Sequence, residues 1–169
     1  MKKTLPILFT LLFINNILSA EIIHQKNDFD DSNIVMSVFQ KENINLSNDM
    51  PTEIVLRKLN NDSTDKSYVL FMKNPYTLKD LYVNIEPAKI KINNDISKVY
   101  YQNFSLDDYG KRTRISIPFS INIVKEIPNA NSIQLQIPVF TRDKTQIKYV
   151  EYTIPTSILD EWKQVIATE

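Results

Sequence analysis

The chain of 169 residues has no cysteine, one glycine, one histidine and no excess of either charge. Without cysteine there is no disulfide, no thiol nucleophile, no thiolate metal site and no lipid-modified cysteine behind a leader, so an exported form must rest on packing alone. Gly110 is the single glycine, which removes the glycine-rich loops that cradle phosphates and with them the common nucleotide enzymes. His24 stands alone in a polar N-terminal stretch, where a solvated tail residue is the expectation and a general base is not. Lys and Arg together number 20 and so do Asp and Glu. No basic surplus therefore points to nucleic acid or to an anionic membrane surface.

Long hydrophobic runs are also scarce, with one exception at the start. MKKTLPILFTLLFINNILSA places Lys2 and Lys3 before an apolar run from Leu5 to Leu18 and ends on the small residues Ser19 and Ala20. This reads as a bacterial secretory signal peptide over residues 1–20, cleaved after Ala20. The run is short for a membrane span and Asn15 and Asn16 interrupt it, so no span is expected after cleavage. Loss of the two leader lysines leaves a small acidic excess. The expected location is the bacterial periplasm or the exterior. Residues 21–50 read as a polar segment with one apolar patch, Ile34, Val35, Met36, Val38 and Phe39, as a possible first strand.

From residue 51 the chain is built of short strand-like runs at regular intervals: Glu53 to Leu59, Ser67 to Lys73, Asp80 to Glu86, Lys89 to Asn93, Lys98 to Phe104 and Gln146 to Ile154. Turn chemistry separates them at Asn60 to Asp65, Asn74-Pro75, Asn93-Asn94-Asp95 and Asp107 to Gly110. Short strands with such punctuation predict an all-β, immunoglobulin-like antiparallel β-sandwich over residues 51–154. Gly110 suits a position that needs positive φ. After Pro155 the period changes to that of a helix: Ile158, Leu159, Trp162, Val165 and Ile166 share one face, with Thr156 or Ser157 as cap and Asp160 and Glu161 in the first turn. An amphipathic helix over residues 155–169 is expected to dock on the sandwich, where burying Trp162 is worth about 2–3 kcal/mol.

The strongest local pattern lies between Arg112 and Phe140. Ile115, Ile117, Phe119, Ile121 and Ile123 alternate with Arg114, Ser116, Asn122 and Val124, and Ile133, Leu135, Ile137 and Val139 alternate with Gln134, Gln136, Pro138 and Phe140. A turn near Pro128 would set Ile123 opposite Ile133, Ile121 opposite Leu135 and Phe119 opposite Ile137, an apolar ladder on one face of a hairpin. Such a row of aliphatic side chains closes its own core or offers itself to another chain.

Little else in the sequence carries chemistry. Asp28, Asp30 and Asp31 lack the glycine and terminal glutamate of a calcium loop, so no metal is expected. Asp62, Asp65, Asp107 and Asp108 fit turns that bond their own backbone. Lys111, Arg112 and Arg114 fit a solvated sheet face, and Tyr68, Phe71, Tyr76, Tyr82, Tyr100 and Tyr101 fit strand packing more readily than a sugar or peptide platform. No nucleophile, base and orienter can be assembled, so the expectation is a binding protein without cofactor rather than an enzyme.

Phe119 to Pro128, FSINIVKEIP, followed by Ile133 to Phe140, IQLQIPVF, resembles the last two strands of the N-terminal immunoglobulin-like domain of periplasmic pilus-assembly chaperones. Leu81 to Pro87 with Ile90, Ile92 and Val99, and Tyr109 to Ile117, resemble the strands before them, so the likeness covers about residues 53–142. It implies a protein partner, a pilin-like subunit completed by a lent strand, with Ile133, Leu135, Ile137 and Val139 as donor side chains. Arg142 or Lys148 would serve as one member of the basic pair that holds the subunit's carboxylate. The first apolar patch has no arginine for the other member, and the family's second β domain has no counterpart in Gln146 to Ile154 and one helix. The sequence leaves two binding readings: a chaperone-like or assembly-accessory module engaging an extended partner by strand addition, or an adhesion or envelope-structural domain whose aliphatic row is its own core.

Overall fold

The structure, a computed structural model, describes residues 20–26, 32–40, 51–60, 66–74, 81–83, 86–107, 112–141 and 147–168. Among the described residues eleven strands form two antiparallel sheets, an all-β sandwich with a C-terminal helix. The first sheet takes β1 (Glu21–Lys26), β2 (Asn33–Gln40), β3 (Glu53–Asn60), β4 (Lys66–Asn74), β9 (Arg112–Phe119) and β8 (Asn103–Asp107) in the order β1-β2-β3-β4-β9-β8. The second takes β6 (Ala88–Ile92), β7 (Asp95–Val99), β10 (Ile133–Thr141) and β11 (Ile147–Thr153) in the order β11-β10-β6-β7, with β5 (Leu81–Val83) pairing β10 beyond the end of β6.

Alternation decides which side chains meet between the sheets. Ile54, Leu56, Leu70, Met72, Ile115 and Ile117 from the first sheet and Ile90, Ile92, Ile133, Leu135 and Ile137 from the second join one buried cluster. Helix α2 (Thr156–Ala167) supplies the rest of the second layer, packing against β1, β2 and β3. Its apolar face, Ile158, Leu159, Trp162 and Val165, is buried as its spacing predicts. The Trp162 ring stands edge-on to Phe119 with centroids 6.2 Å apart. Pro155 is the N-cap and no side chain caps it, so neither Thr156 nor Ser157 has the expected role, and no acidic residue stands in the first turn.

The expected hairpin between Arg112 and Phe140 is not formed. β9 pairs with β4 and β8, whereas β10 pairs with β11, β6 and β5. Between them the chain crosses from one sheet to the other through a short helix α1 (Ile121–Glu126) and a 3₁₀ turn at Ile127–Asn129. The residues are equally legible as a helix: Ser120 caps it by accepting from the Ile123 amide, and Ile123, Val124 and Ile127 fall on one helical face, all buried. Ile121, inward in a strand register, is 57% exposed.

Two further expectations change. The run Lys98 to Phe104 is not one strand, because β7 ends at Val99 in one sheet and β8 begins at Asn103 in the other. The segment around His24 is not a free tail: β1 pairs with β2 over its whole length, with His24 opposite Val35. Positive φ falls on Asn93 (54°) in the β6–β7 turn. Its side chain explains the choice, since Asn93 Oδ1 accepts from the amides of Asn131 (2.8 Å) and Ser132 (3.4 Å) and so pins the turn to the entry of β10. Gly110 lies outside the described residues.

Candidate functional site: the free edge of the five-stranded sheet

β10 is an interior strand. Its ladder with β11 spans Gln134 to Phe140, and its other side pairs with β6 over residues 133–136 and with β5 over residues 139–141. Pro138, which has no N–H to give, falls in the gap between those two pairings, so no ladder bond is lost there. Ile133 and Leu135 are fully buried and Ile137 is 2% exposed. Ile133, Leu135 and Ile137 are therefore spent on this chain's own core, and among the described strands β10 is paired on both sides. Val139 belongs to β10 and Lys148 to β11, where they are register partners; the side chains of both lie outside the described residues, as does all of Arg142.

The sheet order ends at β11 on one side and at β7 on the other, and no described strand pairs with β11 beyond β10. The Ile154 amide donates to the Ile133 carbonyl at 2.9 Å, which sets the phase of the ladder. Pairs that exchange both bonds are then 135/152, 137/150 and 139/148. The intervening residues Ile147, Tyr149, Glu151 and Thr153 turn their N–H and C=O away from β10, toward the free edge. The same four side chains are exposed on the outer face, Ile147 at 39% and Tyr149 at 51%, while Tyr152 points inward and is buried. β11 has an unbroken register and no proline within its span; of the devices that blunt an edge it carries only charge, at Lys148 and Glu151.

Two side-chain bonds tie β11 to its neighbour on the outer face: Gln136 Nε2 donates to Glu151 Oε1 at 2.8 Å and Gln134 Nε2 to Thr153 Oγ1 at 3.4 Å. Beyond them an open groove of about 330 Å³ is lined by Lys89, Lys91, Ile96, Gln134, Gln136 and Glu151. The Lys89 ammonium lies 5.7 Å from the centre of the Tyr149 ring, reaching across β10 to the edge strand.

No family model, curated protein or solved structure matches the chain.

The other sequence candidates do not converge. His24 is exposed and lines a separate open depression of about 350 Å³ with Lys26, Asn33 and Thr168. Arg114 pairs with Glu53 at 3.7 Å; Lys111 and the side chain of Arg112 lie outside the described residues. Of the aromatic set, Tyr68 is buried, Tyr100 is 64% exposed, and the Arg57 guanidinium lies 4.9 Å from the Phe71 ring centre. Burial pushes the Tyr101 phenol well above its ordinary range. Tyr76 and the side chain of Tyr82 lie outside the described residues, as do Asp28, Asp30, Asp31, Asp62, Asp65, Asp108 and the side chain of Asp107. Among the described residues no cluster of His, Asp or Glu could hold a metal ion, and no helix is long and apolar enough to cross a membrane.

Two polar groups inside the fold carry no signature in the sequence beyond strand parity and helix position. Lys58 sits on the inward face of β3 with no exposure, and its ammonium donates to the carbonyls of Ile166 (3.4 Å) and Thr168 at the end of α2. Glu161 on α2 accepts from the Ala20 amide (2.9 Å) and the Ser37 hydroxyl (3.3 Å). Burial raises its pKa, and those two hydrogen bonds act in the opposite direction.

Proposed function

We propose that this chain is an exported, non-enzymatic binding domain, a chaperone-like or assembly-accessory module that takes an extended polypeptide by strand addition at the edge of β11. The observation that carries this reading is the coincidence on one strand of outward backbone groups and outward apolar side chains at Ile147 and Tyr149. Four amides and four carbonyls facing the edge give a partner's backbone a ladder, and the alternate side chains give it selectivity. At about 0.5–1.5 kcal/mol net per hydrogen bond, even a partly formed ladder supplies several kcal/mol toward association. Export rests on the leader sequence, and a pilin-like partner rests on the chaperone resemblance.

The test uses fluorescently labelled peptides that alternate aliphatic and polar residues, titrated into the leaderless domain. Binding is expected, and Glu151→Pro should abolish it. Proline at that position removes an amide that faces outward, not one bonded to β10, so the domain should keep its fold by circular dichroism. A folded Glu151→Pro domain that binds as tightly as the wild type refutes the assignment to this edge.

A second reading has its own support. Complete burial of Ile133 and Leu135 suits a secreted adhesion or envelope-structural domain whose aliphatic row serves packing alone. Binding of the purified domain to host cells or matrix, with no bacterial protein present, would favour it.

A further inference from the structure

The geometry points to a second binding site, beside the β11 edge: the outer face of the five-stranded sheet takes an acidic oligosaccharide on Lys89, Lys91 and Lys98 with Gln134 and Gln136 beneath it. Strand parity puts these side chains on one surface. Ala88, Ile90 and Ile92 of β6 and Val99 of β7 are buried, so Lys89, Lys91, Ile96 and Lys98 face out. Register then orders them in rows. Thr153, Gln134, Lys91 and Ile96 run side by side across the four strands, and Glu151, Gln136, Lys89 and Lys98 form the next row.

Folding does not account for this arrangement. Lys89 and Lys98 are direct cross-strand partners on the same face, a placement that costs stability through like-charge repulsion. Neither they nor Lys91 form an ion pair with a described residue. Among the described residues the single carboxylate lining the groove, Glu151, accepts from Gln136. The face thus presents three cations against one carboxylate held by an amide. Lys89 is held out over the Tyr149 ring, 5.7 Å from its centre, which limits the rotamer entropy it loses when an anion arrives. Ile96, 64% exposed, flanks the other end.

The chemistry of the face selects the ligand class. β6 and β10 are each paired on both sides, so the groove offers no backbone donors or acceptors, and a peptide lying on it would leave its own amides unmatched. A sugar chain needs side-chain partners instead: amides for hydroxyls, ammonium groups for carboxylates and apolar flanks for its C–H faces. The volume of about 330 Å³ lies at the low end of the range of roughly 300–1,000 Å³ for small-ligand sites, and its openness on the sheet face allows a longer chain to run through.

The experiment is calorimetric titration of the leaderless domain with an oligogalacturonide of defined length, beside a neutral maltooligosaccharide of the same length, an oligoglutamate peptide and oligothymidylate. The acidic sugar is expected to bind and to weaken with added salt, and K89Q/K91Q should weaken it at least tenfold, equivalent to about 1.4 kcal/mol. K66Q/K125Q, which removes two exposed lysines elsewhere, should bind as the wild type does. The inference is overturned if the acidic sugar shows no heat at millimolar concentration or if the neutral sugar binds equally. It also falls if K66Q/K125Q loses as much as K89Q/K91Q, or if the peptide or the nucleotide binds more tightly than the sugar. Because K89Q/K91Q leaves the backbone of β11 untouched, peptide binding at the edge should survive in it, so the two sites can fail independently.

Discussion

The crossover between the sheets can be read from three aliphatic side chains. A strand through residues 119–123 would turn Ile121 and Ile123 inward and Val124 outward, whereas helix α1 buries Ile123 and Val124, at 5% and 3% exposure, and leaves Ile121 57% exposed. Val124→Ala removes two buried carbons, about 1.6 kcal/mol at roughly 0.8 kcal/mol each, and the cavity left behind brings the expected loss to about 2–3 kcal/mol. Ile123→Val removes one methylene and should cost about 0.5–1.5 kcal/mol. Ile121→Ala should stay within about 0.5 kcal/mol of the wild type, since alanine is also the better helix former. Urea unfolding followed by the fluorescence of Trp162, the only tryptophan in the chain and fully buried, reads all three, provided the slope with denaturant is unchanged. If Ile121→Ala costs as much as Val124→Ala, the helical crossover is wrong and the hairpin register returns.

Perturbations at three other positions follow from the packing of α2. Trp162→Ala should cost about 3–5 kcal/mol, because the indole is fully buried against Phe119; a loss under 1 kcal/mol by the same urea assay would detach α2 from the core. Lys58→Met fills most of the buried volume but leaves the Ile166 and Thr168 carbonyls without their donor, so it should lose about 1–3 kcal/mol. Lys58→Ala should lose more than Lys58→Met because it also leaves a cavity, and a Lys58→Met variant as stable as the wild type would mean the ammonium contributes nothing. Glu161 binds a proton more readily folded than unfolded, so its contribution is largest below the ordinary value of 4.5 and fades as pH rises through the raised value. Glu161→Gln keeps an acceptor for the Ser37 hydroxyl and removes this titration, so the stability of the variant relative to the wild type should climb with pH across that window. Parallel profiles would refute it.

Much of the fold is legible wherever local period and burial agree. Glu53 to Leu59, Ser67 to Lys73 and Gln146 to Ile154 predict β3, β4 and β11 to within a residue or two at each end, and Ile158, Leu159, Trp162 and Val165 predict the buried face of α2. The sequence INIVKEI at residues 121–127 misleads because its isoleucines satisfy both periods over so short a span, and only the cap at Ser120 and the buried pair Ile123 and Val124 distinguish them. β1 escapes because Glu21 to Lys26 has only two aliphatic residues, Ile22 and Ile23, and its order comes from the ladder with β2. Lys98 to Phe104 looks continuous because the change of sheet lies in Tyr100 to Gln102, residues that suit a strand as well as a bend. The candidate site was legible only as a strand. That β11 is an edge and β10 is not depends on strand order, which no window of sequence contains, and the basic face depends on register between β6 and β7.

Residue-resolved amide exchange of the uncomplexed domain tests the open edge most directly. The account predicts alternation along β11: fast exchange at Ile147, Tyr149, Glu151 and Thr153, whose amides face outward, and slow exchange at Lys148, Val150, Tyr152 and Ile154, whose amides bond to β10. Uniform protection along the strand would mean that the edge is already covered, and the proposed binding mode would have no place to act.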